Sequence, residues 1–141
     1  METNEKETHS TPQANKLVLA CSGGSDLGEL SDRVARKLRD KGFYNMKCLA
    51  MVGAGHKELI DTIKSSETLV IDGCPVDCGR KIMEEAWLTG YHYIRLTDLG
   101  YVKGETRVNN EIIEQVCTRI MEGPNLQKIE QIKPSSPTCC K

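Results

Sequence analysis

The chain has 141 residues with nineteen basic and twenty acidic side chains, a net charge of −1, and 38% hydrophobic residues. That length suits one domain. The near-neutral charge excludes a nucleic-acid binder or membrane-surface binder driven by bulk cationic charge, and no apolar run is long enough to span a bilayer. Residues 1–15 are polar and aperiodic and read as a disordered lead without an export signal. Leu17-Val18-Leu19-Ala20 is a buried-strand run stopped by Cys21-Ser22-Gly23-Gly24. Asp26 is the expected helix cap, with Glu29 completing a capping box, and Leu27, Leu30, Val34 and Leu38 form the apolar stripe up to Gly42. Met46 to Val52 reads as a second strand, closed by Gly53-Ala54-Gly55-His56. Leu59, Ile60 and Ile63 mark a short helix. Leu69-Val70-Ile71 is a third strand ending at Asp72-Gly73-Cys74-Pro75. Ile82, Met83, Ala86 and Trp87 stripe a helix ended by Gly90. Tyr91 to Leu96 is a fourth strand, and Ile112, Ile113, Val116, Ile120 and Met121 stripe a last helix. Residues 123–141 hold three of the five prolines and read as a flexible tail ending in Cys139-Cys140.

Four successive strand-then-helix units call for a small doubly wound α/β domain over residues 16–122. Its parallel sheet of four strands has right-handed crossovers and helices on both faces. With strand order 2-1-3-4, strands one and three adjoin at the point where the winding reverses, and ligands of such folds bind there, beyond the C-terminal strand ends.

Seven cysteines in a chain with no export signal point to metal ligands, redox groups or nucleophiles. Cys21 follows strand one, Cys74 follows strand three, and Cys78 lies one helical turn beyond Cys74. The winding brings these three distant thiols to one rim, and a cluster of thiolates selects zinc, copper(I) or iron–sulfur. The fourth ligand is open between Cys48, placed within strand two and below the rim, and His56 just past the glycine loop. Cys117 falls on the apolar stripe of the last helix and reads as core, and His92 alternates with Ile94 and Leu96 as a core or edge residue. A helix N-terminus under Cys78 would favour its thiolate, with Arg80 and Lys81 adding positive charge. Asp72 either orients donors toward a thiolate or caps the helix.

The run Cys21-Ser22-Gly23-Gly24, then Cys48-Leu49-Ala50, then Ile71-Asp72-Gly73-Cys74-Pro75-Val76-Asp77-Cys78, resembles the DGC-domain family, described as zinc-binding and named for its central Asp-Gly-Cys. The resemblance covers roughly residues 15–122. It implies four metal-ligating cysteines, matched here by Cys21, Cys48, Cys74 and Cys78; the reading of the residues themselves puts Asp72, Gly73, Arg80 and His56 around them. Four thiolates would close the zinc site and make it structural, or suited to metal handling or sensing, rather than catalytic. An iron–sulfur cluster is the lesser alternative.

Other chemistries fit the same residues. Cys74 to Arg80 is a Cys-x5-Arg stretch at a strand-to-helix junction, the pattern of cysteine phosphatases and arsenate reductases, with Asp98 as a nominal acid. Pro75 and Asp77 count against it. Cys139-Cys140 on a Pro-Ser tail could pass a metal to the core or take part in thiol redox. The loops Ser22-Gly23-Gly24-Ser25-Asp26 and Gly53-Ala54-Gly55 lack nucleotide-binding spacing. The expected partners are a metal ion and another protein, with no nucleic acid or membrane, in the cytoplasm.

Overall fold

The computed structural model describes residues 15–132. Its elements in chain order are β1 (Lys16–Ala20), α1 (Asp26–Asp40), β2 (Asn45–Met46), α2 (Leu49–Gly53), α3 (Lys57–Lys64), β3 (Glu67–Asp72), α4 (Cys78–Glu85), β4 (Tyr91–Arg95), a 3-10 turn (Leu96–Leu99), α5 (Asn110–Glu122) and β5 (Gln127–Ile129). The sheet order is β2-β1-β3-β4-β5, with β1 to β4 parallel and β5 antiparallel to β4. The expected order 2-1-3-4 is therefore present, with a fifth strand added. That strand falls in the stretch read as tail. Three residues with one apolar side chain, Ile129, leave no period-two signal, yet Ile129 is buried at the sheet edge. Cys139 and Cys140 lie outside the described residues. Among the described residues, no helix is long and apolar enough to cross a membrane.

The period of two along each strand builds two cores. Val18, Ala20, Leu69, Ile71 and Ile94 face α1 and α5, meeting Leu30, Val34, Ile113, Val116 and Cys117. Leu17, Leu19, Val70, Tyr91 and Tyr93 face the opposite way, onto Leu49, Val52, Leu59, Ile63 and Met83 from α2, α3 and α4. Cys117 is 2% exposed, and burial pushes its thiol up to about 11, as befits a core residue.

Three local expectations are corrected. The second strand ends at Met46, and Lys47 N–H makes its last bond, to Val18 O at 3.0 Å. Leu49, Ala50 and Met51 are good helix formers, and a short apolar run is read equally well as strand or buried helix. The cap of α1 is Ser25, whose Oγ accepts from Gly28 N–H at 3.1 Å; Asp26 is the first helical residue. Trp87 lies beyond α4 and is 78% exposed. It closes that helix in a left-handed conformation (φ 58), with Trp87 N–H donating to Glu84 O and Leu88 N–H to Met83 O. This is a Schellman-type end, and Leu88 takes the buried place expected of the tryptophan.

Gly28 sets how closely the first loop folds onto α1, since a Cβ there would meet the Gly23 carbonyl oxygen at 2.5 Å. We expect Gly28→Ala to lower unfolding stability by about 1–3 kcal/mol, the usual range for forced overpacking. Gly24→Ala, with nothing within 4 Å, should leave it within about 0.5 kcal/mol. Urea titrations of the two variants would check this.

Candidate functional site at the C-terminal sheet edge

The first βα loops of a parallel sheet open at the C-terminal ends of their strands, and here the order reverses between β1 and β3. A cavity of about 730 Å³ lies at this point, and Cys21, Cys48, Cys74 and Cys78 all line it. Each thiol arrives on a different segment. Cys21 follows β1, its N–H bonded to Ile71 O at 3.1 Å. Cys48 is the residue before α2, freed to stand at the rim because β2 stops early. Cys74 follows β3 and Gly73, and Cys78 opens α4. The expectation that Cys48 lies below the rim within a strand is thus replaced by a rim position. His56 is an exposed residue preceding α3 and is not part of the cavity wall.

The sulfurs differ in their surroundings. Cys21 Sγ accepts from Gly73 N–H at 3.3 Å and lies 3.3 Å from Ser31 Oγ. Ser31 gives its own proton to Gly28 O at 2.9 Å, so its oxygen accepts from the Cys21 thiol. Cys74 Sγ receives Lys103 Nζ at 3.6 Å. The Lys103 loop is held down by Asp26, whose carboxylate accepts from Gly104 N–H at 2.8 Å and Thr106 N–H at 3.0 Å. These bonds hold the Asp26 carboxyl below its ordinary range.

Beneath the thiols lies Asp72, 1% exposed. Its carboxylate accepts from Gly79 N–H at 2.7 Å and Arg80 N–H at 3.0 Å, the free donors at the start of α4. Of the two roles open for Asp72, the structure selects the helix cap. Tyr93 Oη lies 2.7 Å from Asp72 Oδ2 and 3.0 Å from Asp77 Oδ1, one hydroxyl proton between two carboxylates. Arg95 Nη1 reaches both Asp77 oxygens, at 2.7 and 2.9 Å. This clamp holds Asp77 in a left-handed conformation (φ 60), where an L residue is costly, and so shapes the turn between Cys74 and Cys78. Two glycines permit the approach. A Cβ on Gly73 would meet the Leu27 backbone at 2.8 Å, and one on Gly79 would meet Asp72 Oδ1 at 2.7 Å.

The helix start therefore already serves an anion, which is Asp72 and not a thiolate. Accordingly the Cys78 thiol is pushed up, by burial first and then by the charges of Asp72, Cys21 and Cys74, against a smaller opposing effect of Lys81. This reverses the expectation of an acidic Cys78. Arg80 is likewise displaced from its expected role. Its guanidinium lies over the Tyr93 ring at 5.7 Å and pairs with Glu84 at 3.4 Å, away from the cavity wall. The phosphate-loop pattern loses its parts on this geometry: two of its N–H groups serve Asp72, its arginine points elsewhere, and Asp98 is paired with Arg95 at 3.3 Å. Asp77 of the Cys74–Cys78 run completes the site together with Lys103, Tyr93, Arg95 and Ser31, and these last four belong to no motif. Only their tertiary neighbours mark them.

As the side chains stand, no three of the His, Cys, Asp or Glu residues among those described converge into a metal-holding group. The thiols share one cavity without closing on a point.

Burial raises the Asp72 carboxyl above its ordinary value, opposed by the hydrogen bonds from Tyr93 and the α4 backbone. The folded chain therefore binds this proton more tightly than the unfolded chain. Asp72's contribution to stability is greatest below the unfolded value of 3.8 and falls as pH rises toward the folded value. Tyr93→Phe removes a donor that lowers the Asp72 value. We expect it to cost about 1–3 kcal/mol at neutral pH and to extend that falling slope to higher pH, read from urea unfolding of both proteins across a pH series.

The sequence model of the DGC domain matches residues 17–120. A protein of Pseudomonas aeruginosa (strain PAO1) named "Anaerobic and virulence modulator AnvM" is 30% identical over 88 residues, covering 62% of this chain and 67% of that protein. No solved structure matches. A match that runs from β1 through β4 and takes in all four rim thiols and the Asp72-Gly73-Cys74 turn places the chain in the DGC-domain family.

Proposed function

We propose that the rim cavity binds a soft metal ion, zinc before an iron–sulfur cluster, through Cys21, Cys48, Cys74 and Cys78. The observation that supports this most is that four separate segments each deliver a thiol to one cavity. The donor set suits zinc, whose bonds to thiolate are about 2.3 Å long. Because no three of these thiols converge on one point as the side chains stand, binding entails closure. Cys48 and Cys78 are exposed and sit at helix starts, where side-chain rotation alone moves the sulfur. Cys21 gives up its bond to Ser31 but keeps Gly73 N–H, a donor suited to a metal-bound thiolate. Lys103 offsets part of the negative charge that four thiolates bring.

A closed four-thiolate site favours metal handling or sensing over turnover. The similar Pseudomonas protein is named a modulator, anaerobic and of virulence, and a site whose ligands oxidise in air suits a regulator of that kind acting on a protein partner. Free thiols of this number persist in a reducing compartment such as the cytoplasm.

Native mass spectrometry of freshly purified protein should find one zinc per chain, in a colourless sample. The pair Cys74→Ser and Cys78→Ser should lose the metal, while Cys117→Ser, altering a core thiol, should keep it. A brown sample would favour a cluster, and a serine pair that still held stoichiometric zinc would remove the proposal.

A further inference from the structure

The cavity is far larger than an ion requires. At about 730 Å³ it falls within the range of small-molecule pockets, ~300–1,000 Å³. Charge around it is uneven. The whole chain has a net charge of −1, yet the wall carries Arg36, Arg39, Lys47 and Lys103 against one carboxylate, Asp32. Asp32 is engaged by Arg36 at 2.7 Å and by Ser22 at 2.7 Å, and Arg39 pairs with Asp40 at 2.9 Å. Among the described residues, Lys47 and Lys103 have no carboxylate partner. Apolar surface from Met46, Leu49, Val76 and Ile82 fills out the wall between them.

We propose that this cavity is an exchange site for small disulfides that carry carboxylates, with Cys74 as the reacting thiol. These two ammonium groups, without a carboxylate partner among the described residues, would hold the carboxylates. Lys103 Nζ is 3.6 Å from Cys74 Sγ, so an anion drawn to that lysine is drawn to that sulfur. Of the four rim thiols, Cys74 is the one with a lysine ammonium in contact, whereas Cys21 is engaged by Gly73 and Ser31. In the reaction Cys74 releases its proton to solvent and its sulfur attacks one sulfur of the disulfide. The small molecule's S–S bond breaks and a new S–S bond joins Cys74 to one half. The other half leaves with the electron pair and takes up a proton. Cys74 is oxidised, the departing half is reduced, and the disulfide is itself the oxidant.

The test uses the full reduced chain in a chelator, with glutathione disulfide as the anionic probe and cystamine as the cationic one. Each rate is scaled to the same reagent's rate with 2-mercaptoethanol, and adducts are located by intact mass and peptide mapping. Charge steering of this kind raises encounter rates by about 10- to 1,000-fold. We expect a glutathionyl adduct on Cys74, favoured at least about tenfold over the cystamine adduct at low salt. The preference should fall toward unity in about 1 M salt, where the screening length is ~3 Å, and in the Lys47→Ala/Lys103→Ala variant. Both lysines are exposed, so the fold should be retained, and circular dichroism would check it. Cys74→Ser should lose the adduct. No adduct, an equal or faster reaction with cystamine, an adduct on another cysteine, or a lysine variant that keeps the preference would each overturn the proposal. Zinc binding is read without any disulfide, so the two proposals fail independently.

Discussion

The buried carboxylate of Asp72 is the constraint around which the thiol-bearing edge is organised. A charge removed from water needs donors, and Asp72 has three: two backbone N–H groups at the start of α4 and the Tyr93 hydroxyl. Satisfying it ties the end of β3 to the start of α4 across the Cys74–Cys78 turn. Tyr93 on β4 then extends the network to Asp77 and Arg95. The turn between the two cysteines is thus held from below by polar bonds, while its upper surface is left to the sulfurs.

That arrangement separates two demands that would otherwise compete. The positive end of α4 is spent on a structural anion, so the thiols above it receive no help from the helix. Positive charge reaches them from another direction. Asp26, the first residue of α1, binds the backbone of Gly104 and Thr106, and the loop so anchored carries Lys103 over Cys74. A first-turn carboxylate of α1 therefore sets the electrostatics of a thiol on a neighbouring loop. The result is a locally cationic cavity in a chain whose overall charge is close to zero.

Much of the fold was legible from residue pattern. The short apolar run Leu17-Val18-Leu19-Ala20 and the stripe Leu27, Leu30, Val34, Leu38, spaced three to four apart, match β1 and α1. The errors fell where pattern has no purchase. Leu49 to Val52 is apolar in a way that serves strand or helix alike, so Cys48 was assigned to the wrong element. Gln127-Lys128-Ile129 is too short to show a period. Trp87 sits at an apolar-stripe position, but its helix ends two residues earlier in a left-handed closure.

Sequence alone determined the alternation of strands and helices that makes a parallel α/β sheet, and it placed Cys21, Cys74 and Cys78 at one rim on the condition that the strands run 2-1-3-4. Local periodicity and crossover handedness do not fix that order, and the tertiary structure supplies it. Sequence also marked the Asp72-Gly73-Cys74 turn as the centre. Tertiary structure decided which charges act there. Whether Arg80 or Lys103 faces a sulfur, and whether Asp72 or a thiolate takes the helix N–H groups, depends on contacts between residues far apart in the chain. Local spacing carries no record of those contacts, since a long cationic side chain can serve any anion within its reach.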